Sequence, residues 1–109
     1  MGERDLLSGL IRLHILHHAA QEPIFGLGII EELGRHGYKV SAGTLYPILH
    51  GMEKCGHLAS RSELVAGRQR RLYVITERGR EMLAQGKARV WELFHELFDD
   101  ELRAGTKGR

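Results

Sequence analysis

Two stretches decide how the chain is read: Ser41-Ala-Gly-Thr-Leu-Tyr-Pro-Ile-Leu-His50 and, further on, Gly67-Arg-Gln-Arg-Arg-Leu-Tyr-Val-Ile-Thr76. In the first, Ser41 is a good N-cap, because its hydroxyl can accept from free backbone N–H groups of a first helical turn. Leu45, Ile48, Leu49 and Met52 follow at helical spacing and predict a buried face. Gly43, Tyr46, Pro47, His50 and Lys54 fall on the other face, which is small and rich in donors. Pro47 is expected to bend the start of this helix. In the second stretch, residues 70–75 predict a strand that begins among arginines. Residues 58–64 predict its hairpin partner, with residues 65–69 as the tip around Gly67.

Outward from this pair, residues 5–21 predict a first helix. Its Leu6, Leu7, Leu10, Ile11, Leu13, Ile15 and Leu16 cover most of the circumference rather than one stripe. A helix apolar almost all round needs cover on more than one side, and in a domain this small the second cover can be another subunit. Pro23 ends it, since proline disfavours helical geometry in the residue before it. Residues 25–36 predict a second helix with Leu27, Ile30 and Leu33 inward, closed by Gly37. Thr76 can cap a long last helix over about 77–102, in which Leu83, Val90, Phe94, Leu97 and Phe98 recur at coiled-coil-like spacings. The expected organisation is residues 1–76 as a helix-turn-helix with a hairpin wing, 77–103 as a dimerisation helix and 104–109 as a disordered tail. The fold class is mainly α with a small β-hairpin.

The chain has 109 residues, enough for one core; at this size roughly 60–70% of the unfolded surface is buried. The net charge of +2 decides little, but its distribution does. Residues 61–80 hold six arginines against Glu63 and Glu77, whereas Glu92, Glu96, Asp99, Asp100 and Glu101 have no Lys or Arg among them. The basic middle suits an anionic partner and the acidic segment should face elsewhere. The single Cys55 excludes an intramolecular disulfide and a Cys-only metal site. No signal-peptide pattern and no apolar run of membrane-spanning length is present, so a soluble, cytoplasmic protein without a membrane partner is expected. Nucleophile elbows, phosphate-cradling glycine loops and paired carboxylates are missing, so neither an enzyme nor a cofactor is expected.

A helix with an apolar back and a polar front, beside a basic hairpin, is a winged helix-turn-helix. It would lay the helix at 42–54 in the major groove of double-stranded DNA. The candidate DNA-binding residues are Ser41, Gly43, Thr44, Tyr46, Pro47, His50 and Lys54 on the helix and Gly67, Arg68, Arg70 and Arg71 on the wing; Thr44, Tyr46 and His50 could donate to phosphates or base edges, and the three arginines could neutralise phosphates or enter the minor groove. Phosphate contacts would position the domain; base-edge contacts would specify sequence.

The chain resembles the PadR family of transcriptional regulators. The matching residues are Gly26, then Ser41-x-Gly43-Thr44-Leu45-Tyr46-Pro47-x-Leu49, Glu53 and Gly56. The wing match is Gly67-Arg68-x-Arg70-Arg71-x-Tyr73-x-x-Thr76-x-x-Gly79. The length resembles the subgroup with a single C-terminal helix. The resemblance implies a homodimer joined through the first and last helices, with Leu6, Leu10, Leu13, Leu83, Val90, Phe94, Leu97 and Phe98 at the interface. It also implies a repressor on a palindromic operator, released by a small molecule or a stress signal. In similar regulators a tryptophan of the last helix lines an interfacial cavity for flat aromatic ligands, which makes Trp91 and Phe94 ligand candidates here. The alternative for Trp91 is that it only fills the interface. One departure is Leu27, where the family often has an aromatic residue; Phe25 or Tyr38 could sit nearby. The rival function is a winged helix that docks on protein and reads no DNA site.

His14, His17 and His18 stand at i, i+3 and i+4, a spacing that can place two imidazoles on one metal. No Cys or carboxylate lies close in sequence to complete the set, although a partner subunit could supply one. The histidines are therefore read as packing or interfacial groups, with no metal assigned. Cys55 is read as a small, partly buried residue and Tyr73 as core.

Overall fold

The computed structural model describes residues 2–105. Its elements are α1 (Glu3–Ala19), β1 (Ile24–Phe25), α2 (Gly26–Arg35), α3 (Ala42–Lys54), β2 (Leu58–Val65), β3 (Arg68–Ile75), α4 (Glu77–Leu97) and α5 (Asp99–Gly105). The strands form one antiparallel sheet in the order β1-β3-β2. This is a mainly helical chain with a small sheet, a winged helix-turn-helix followed by a long helix.

The core is built where the apolar periodicities of α1, α2, α3 and β3 converge. Ile15, Leu33, Leu45, Leu49 and Tyr73 are fully buried there. All four expected inward residues of α3 are buried, and its outer face is exposed. Pro47 lies inside α3, and the helix continues through it. On α2 the buried positions are Gly26, Ile29 and Leu33, so Leu27 is corrected from an inward to an exposed residue. The helix starts one residue later than expected because Phe25 is drawn into β1.

The hairpin turn is tighter than expected. Val65 pairs with Arg68, so only Ala66 and Gly67 make the turn, with φ of 51° and 77°. Two left-handed residues in a two-residue loop match the right-handed twist of the flanking strands. The last helix is also corrected. It breaks at Phe98 (φ −111°, ψ 24°), and α5 opens with Asp99, Asp100 and Glu101. Three acids favour a new helix N-terminus over a helix interior, where they would face the negative end of the preceding dipole. Ala104 and Gly105 belong to α5, not to a disordered tail; residues 106–109 lie outside the described residues. Among the described residues, no helix is long and apolar enough to cross a membrane.

Candidate nucleic-acid interface

The exposed face of α3 presents Gly43, Thr44, Tyr46, Pro47, His50 and Lys54. Ser41 is occupied structurally: its Oγ accepts from the Thr44 amide at 3.3 Å, capping the helix. The wing lies beside this face. Its outer half, from Arg61 to Gln69, is exposed on both sides, whereas Leu72 and Tyr73 anchor its base in the core.

Three local interactions set the angle between α3 and the wing. The Glu53 carboxylate on α3 accepts from the Ser60 amide (3.2 Å) and from Ser60 Oγ (2.6 Å) on β2. Ser60 Oγ in turn accepts from the Arg71 guanidinium on β3 at 2.9 Å. Arg71 is thus held as a brace. Arg70 takes a different support: its guanidinium lies 4.8 Å from the centre of the Phe25 ring, a cation–π geometry. Arg68, next to the turn, stays exposed. Arg61 is engaged with Glu63 at 3.4 Å.

These parts meet in one groove of about 230 Å³. It is lined by Phe25, Gly26 and Leu27 at the start of α2, Tyr46 on α3, and Arg68, Gln69, Arg70 and Arg71 on the wing. Gly26 makes the groove possible, since a Cβ there would lie 2.2 Å from Tyr46 Oη. Sequence reasoning brought Tyr46 and the arginines to one surface but missed Phe25 as the platform for Arg70 and Gln69 as a lining residue. Phe25 pairs with Leu72, which puts it diagonal to Arg70; that neighbour follows only from the register of a two-residue strand. Tyr38 does not replace the missing aromatic residue: it does not line the groove and packs edge-on against His14.

Tyr73 is fully buried, its hydroxyl has no partner among the described residues, and burial pushes its phenol above the usual range. It is core, as expected. Cys55 is exposed rather than partly buried, because the C-cap it occupies projects from the end of α3.

Away from the groove, α1 and α4 present a second surface. Leu6, Leu10, Val90, Phe94, Leu97 and Phe98 are exposed, while Leu13 and Leu83 are half-buried. An open apolar groove of about 630 Å³ runs between the two helices, lined by residues that include Leu6, Leu10, Leu13, Met82 and Val90. Trp91 and Phe94 do not line it; their rings stack on each other outside, 6.5 Å between centres.

A sequence model of the transcriptional regulator PadR-like family matches residues 15–85. The chain is 42% identical over 105 residues to Transcriptional regulator Rv3488 of Mycobacterium tuberculosis, covering 96% of this chain and 98% of that protein. Its structure is similar to a PadR family transcriptional regulator of Eggerthella lenta (26% identity, TM-score 0.72, 96% of this chain and 88% of that one). It is also similar to a PadR-like transcriptional regulator of Bacillus cereus (25% identity, TM-score 0.71, 96% of this chain and 99% of that one).

Proposed function

This chain belongs to the PadR-like family of transcriptional regulators, and from that premise we propose that it is a cytoplasmic, non-enzymatic, homodimeric repressor that reads a palindromic operator. The observation that carries the reading is the groove in which the outer face of α3 meets the arginines of the wing. Thr44, Tyr46 and His50 address the major groove, and Arg68 and Arg70 neutralise flanking phosphates. Residues 1–76 act as the DNA-binding part and residues 77–103 as the dimerisation part. The dimer forms through the apolar faces of α1 and α4, placing the two α3 helices about one turn of duplex, or a multiple of it, apart. A flat aromatic ligand bound among Trp91 and Phe94 of the paired subunits would change the wing spacing and release the operator.

The test is binding of the purified protein to labelled duplex from upstream of its own gene, beside a shuffled duplex, across a salt series. Selective binding with a steep salt dependence is the expected result. Arg68→Ala and Arg70→Ala should weaken binding to both duplexes and lower the log–log salt slope by about 0.9 for each phosphate no longer neutralised. Wild-type binding that ignores sequence, or arginine variants that bind as well as wild type, would instead favour a protein-docking winged helix.

A further inference from the structure

Between α1 and α2, three imidazoles converge. His14 and His18 come from successive turns of α1, and His36 caps the end of α2. One ring nitrogen from each lies within 4.8 Å of the others. The His14 and His36 rings stack with centres 4.9 Å apart, and His14 and His18 lie nearly parallel at 6.2 Å. Glu32, one turn before His36, brings its Oε2 to 3.6 Å from His36 Nε2. The other oxygen of Glu32 accepts from Arg35 at 3.0 Å, which fixes the carboxylate. His18 Nε2 is buried and has no hydrogen-bond partner among the described residues.

We propose that His14, His18, His36 and Glu32 form a binding site for a zinc-like divalent transition metal, held between α1 and α2. Both helices contribute a pair at i, i+4, the spacing that sets two ligands on one helix face. Packing alone leaves a buried imidazole nitrogen without a partner, an arrangement that is rare and costly. A metal satisfies it. Three neutral imidazoles and one carboxylate are a borderline-soft donor set, suited to zinc, cobalt or nickel and poorly suited to calcium or magnesium. Zn–N bonds of 2.0–2.1 Å put ligand atoms about 3.4 Å apart in a tetrahedron, so the widest pair of imidazole nitrogens closes by roughly 1.4 Å; Glu32 stands outside the three-histidine cluster, near His36 alone, and must move further to become the fourth ligand. His17 is not a ligand: it meets Gln21 at 3.1 Å on the exposed side of α1. The sequence alone left the set incomplete because His36 and Glu32 lie far along the chain and are joined to α1 only by the fold.

The proposal is independent of DNA binding, and its test needs no operator. Tag-free protein is stripped with chelator and titrated with Co2+, read by ligand-field absorption, then challenged with Zn2+. One equivalent per chain, with the intense visible bands of four-coordinate cobalt and displacement by zinc, is expected. His18→Ala and His36→Ala should each weaken binding by more than the roughly 10–100-fold that removing a hydrogen-bond partner of a ligand costs. His17→Ala and His95→Ala should bind as wild type. His36 is exposed, so its variant tests the site without opening the core, and Zn2+ should raise the melting temperature of wild type but not of His36→Ala. The proposal fails if binding is substoichiometric or gives only the faint spectrum of octahedral cobalt. It also fails if His36→Ala keeps full affinity and the zinc-dependent melting shift.

Discussion

Single side chains decide whether the groove is open. Gly26 and Tyr46 are in contact across the junction of α2 and α3, and a methyl group on Gly26 would overlap the phenol ring as well as its hydroxyl. The obstacle is a side chain that is 38% exposed and so has somewhere to go. Gly26→Ala is therefore expected to swing Tyr46 outward at a modest cost, in the lower part of the ~1–3 kcal/mol typical of overpacking. The displaced phenol would enter the space between α3 and the wing. Operator affinity should fall at least tenfold while the melting temperature drops by only a few degrees. Loss of folding equal to the loss of binding, or unchanged binding with a lower melting temperature, would show that Tyr46 has no part in DNA contact. Arg71 differs from Arg68 in the same way that a brace differs from a contact: its guanidinium is committed to Ser60, and through it to Glu53.

At the scale of elements, α1 and α2 meet through ionisable groups. Burial, then the charges of His36, His18 and His17, holds His14 below the ordinary imidazole range, against a smaller opposing pull from Glu32. Burial likewise lowers His18, with Glu32 opposing and His17 and His36 adding. A histidine whose folded pKa lies below its unfolded value of ~6.5 binds fewer protons when folded. Its stabilising effect is complete above that value and is lost as pH falls through it toward the folded pKa. In chelator, the melting temperature should therefore decline from pH 7.5 to 5.5, and the His14→Gln/His18→Gln variant should show a flatter profile. A melting temperature that holds or rises on acidification would contradict this. The elements themselves were legible to different degrees. The four apolar residues of α3 repeat over several turns, and that repetition fixed its face. β1 has two residues, too few for any alternation, so the Phe25–Arg70 contact could not be foreseen. Leu27 and Ile29 lie on nearly opposite sides of α2, roughly 160° apart, and because apolar residues stand on both sides the periodicity alone does not choose between them; packing buries Ile29. The break at Phe98 was hidden because the acids that open α5 continue an exposed helical pattern.

For the molecule as a whole, α4 is the long helix that stays mostly uncovered. It spans 21 residues, yet Gly79 is its only buried residue. Trp91 and Leu97 are more than 60% exposed, and Phe94 and Phe98 about 40%. A monomer rarely leaves so continuous an apolar strip in water, and the adjoining groove between α1 and α4 offers a matching surface. The proposed homodimer would cover both, with an interface on the order of 1,600 Å² if it is of standard size. Replacing Phe94 and Phe98 together with Glu places two charges in that interface while leaving the buried core of the winged helix untouched. Sedimentation should then change from dimer to monomer, and the circular dichroism of the folded helices should persist. Operator binding should weaken and its log–log salt slope should fall to about half, because a monomer holds one half-site and about half the phosphate contacts. A monomeric wild type, or a variant that stays dimeric with an unchanged slope, would place the functional assembly on another surface.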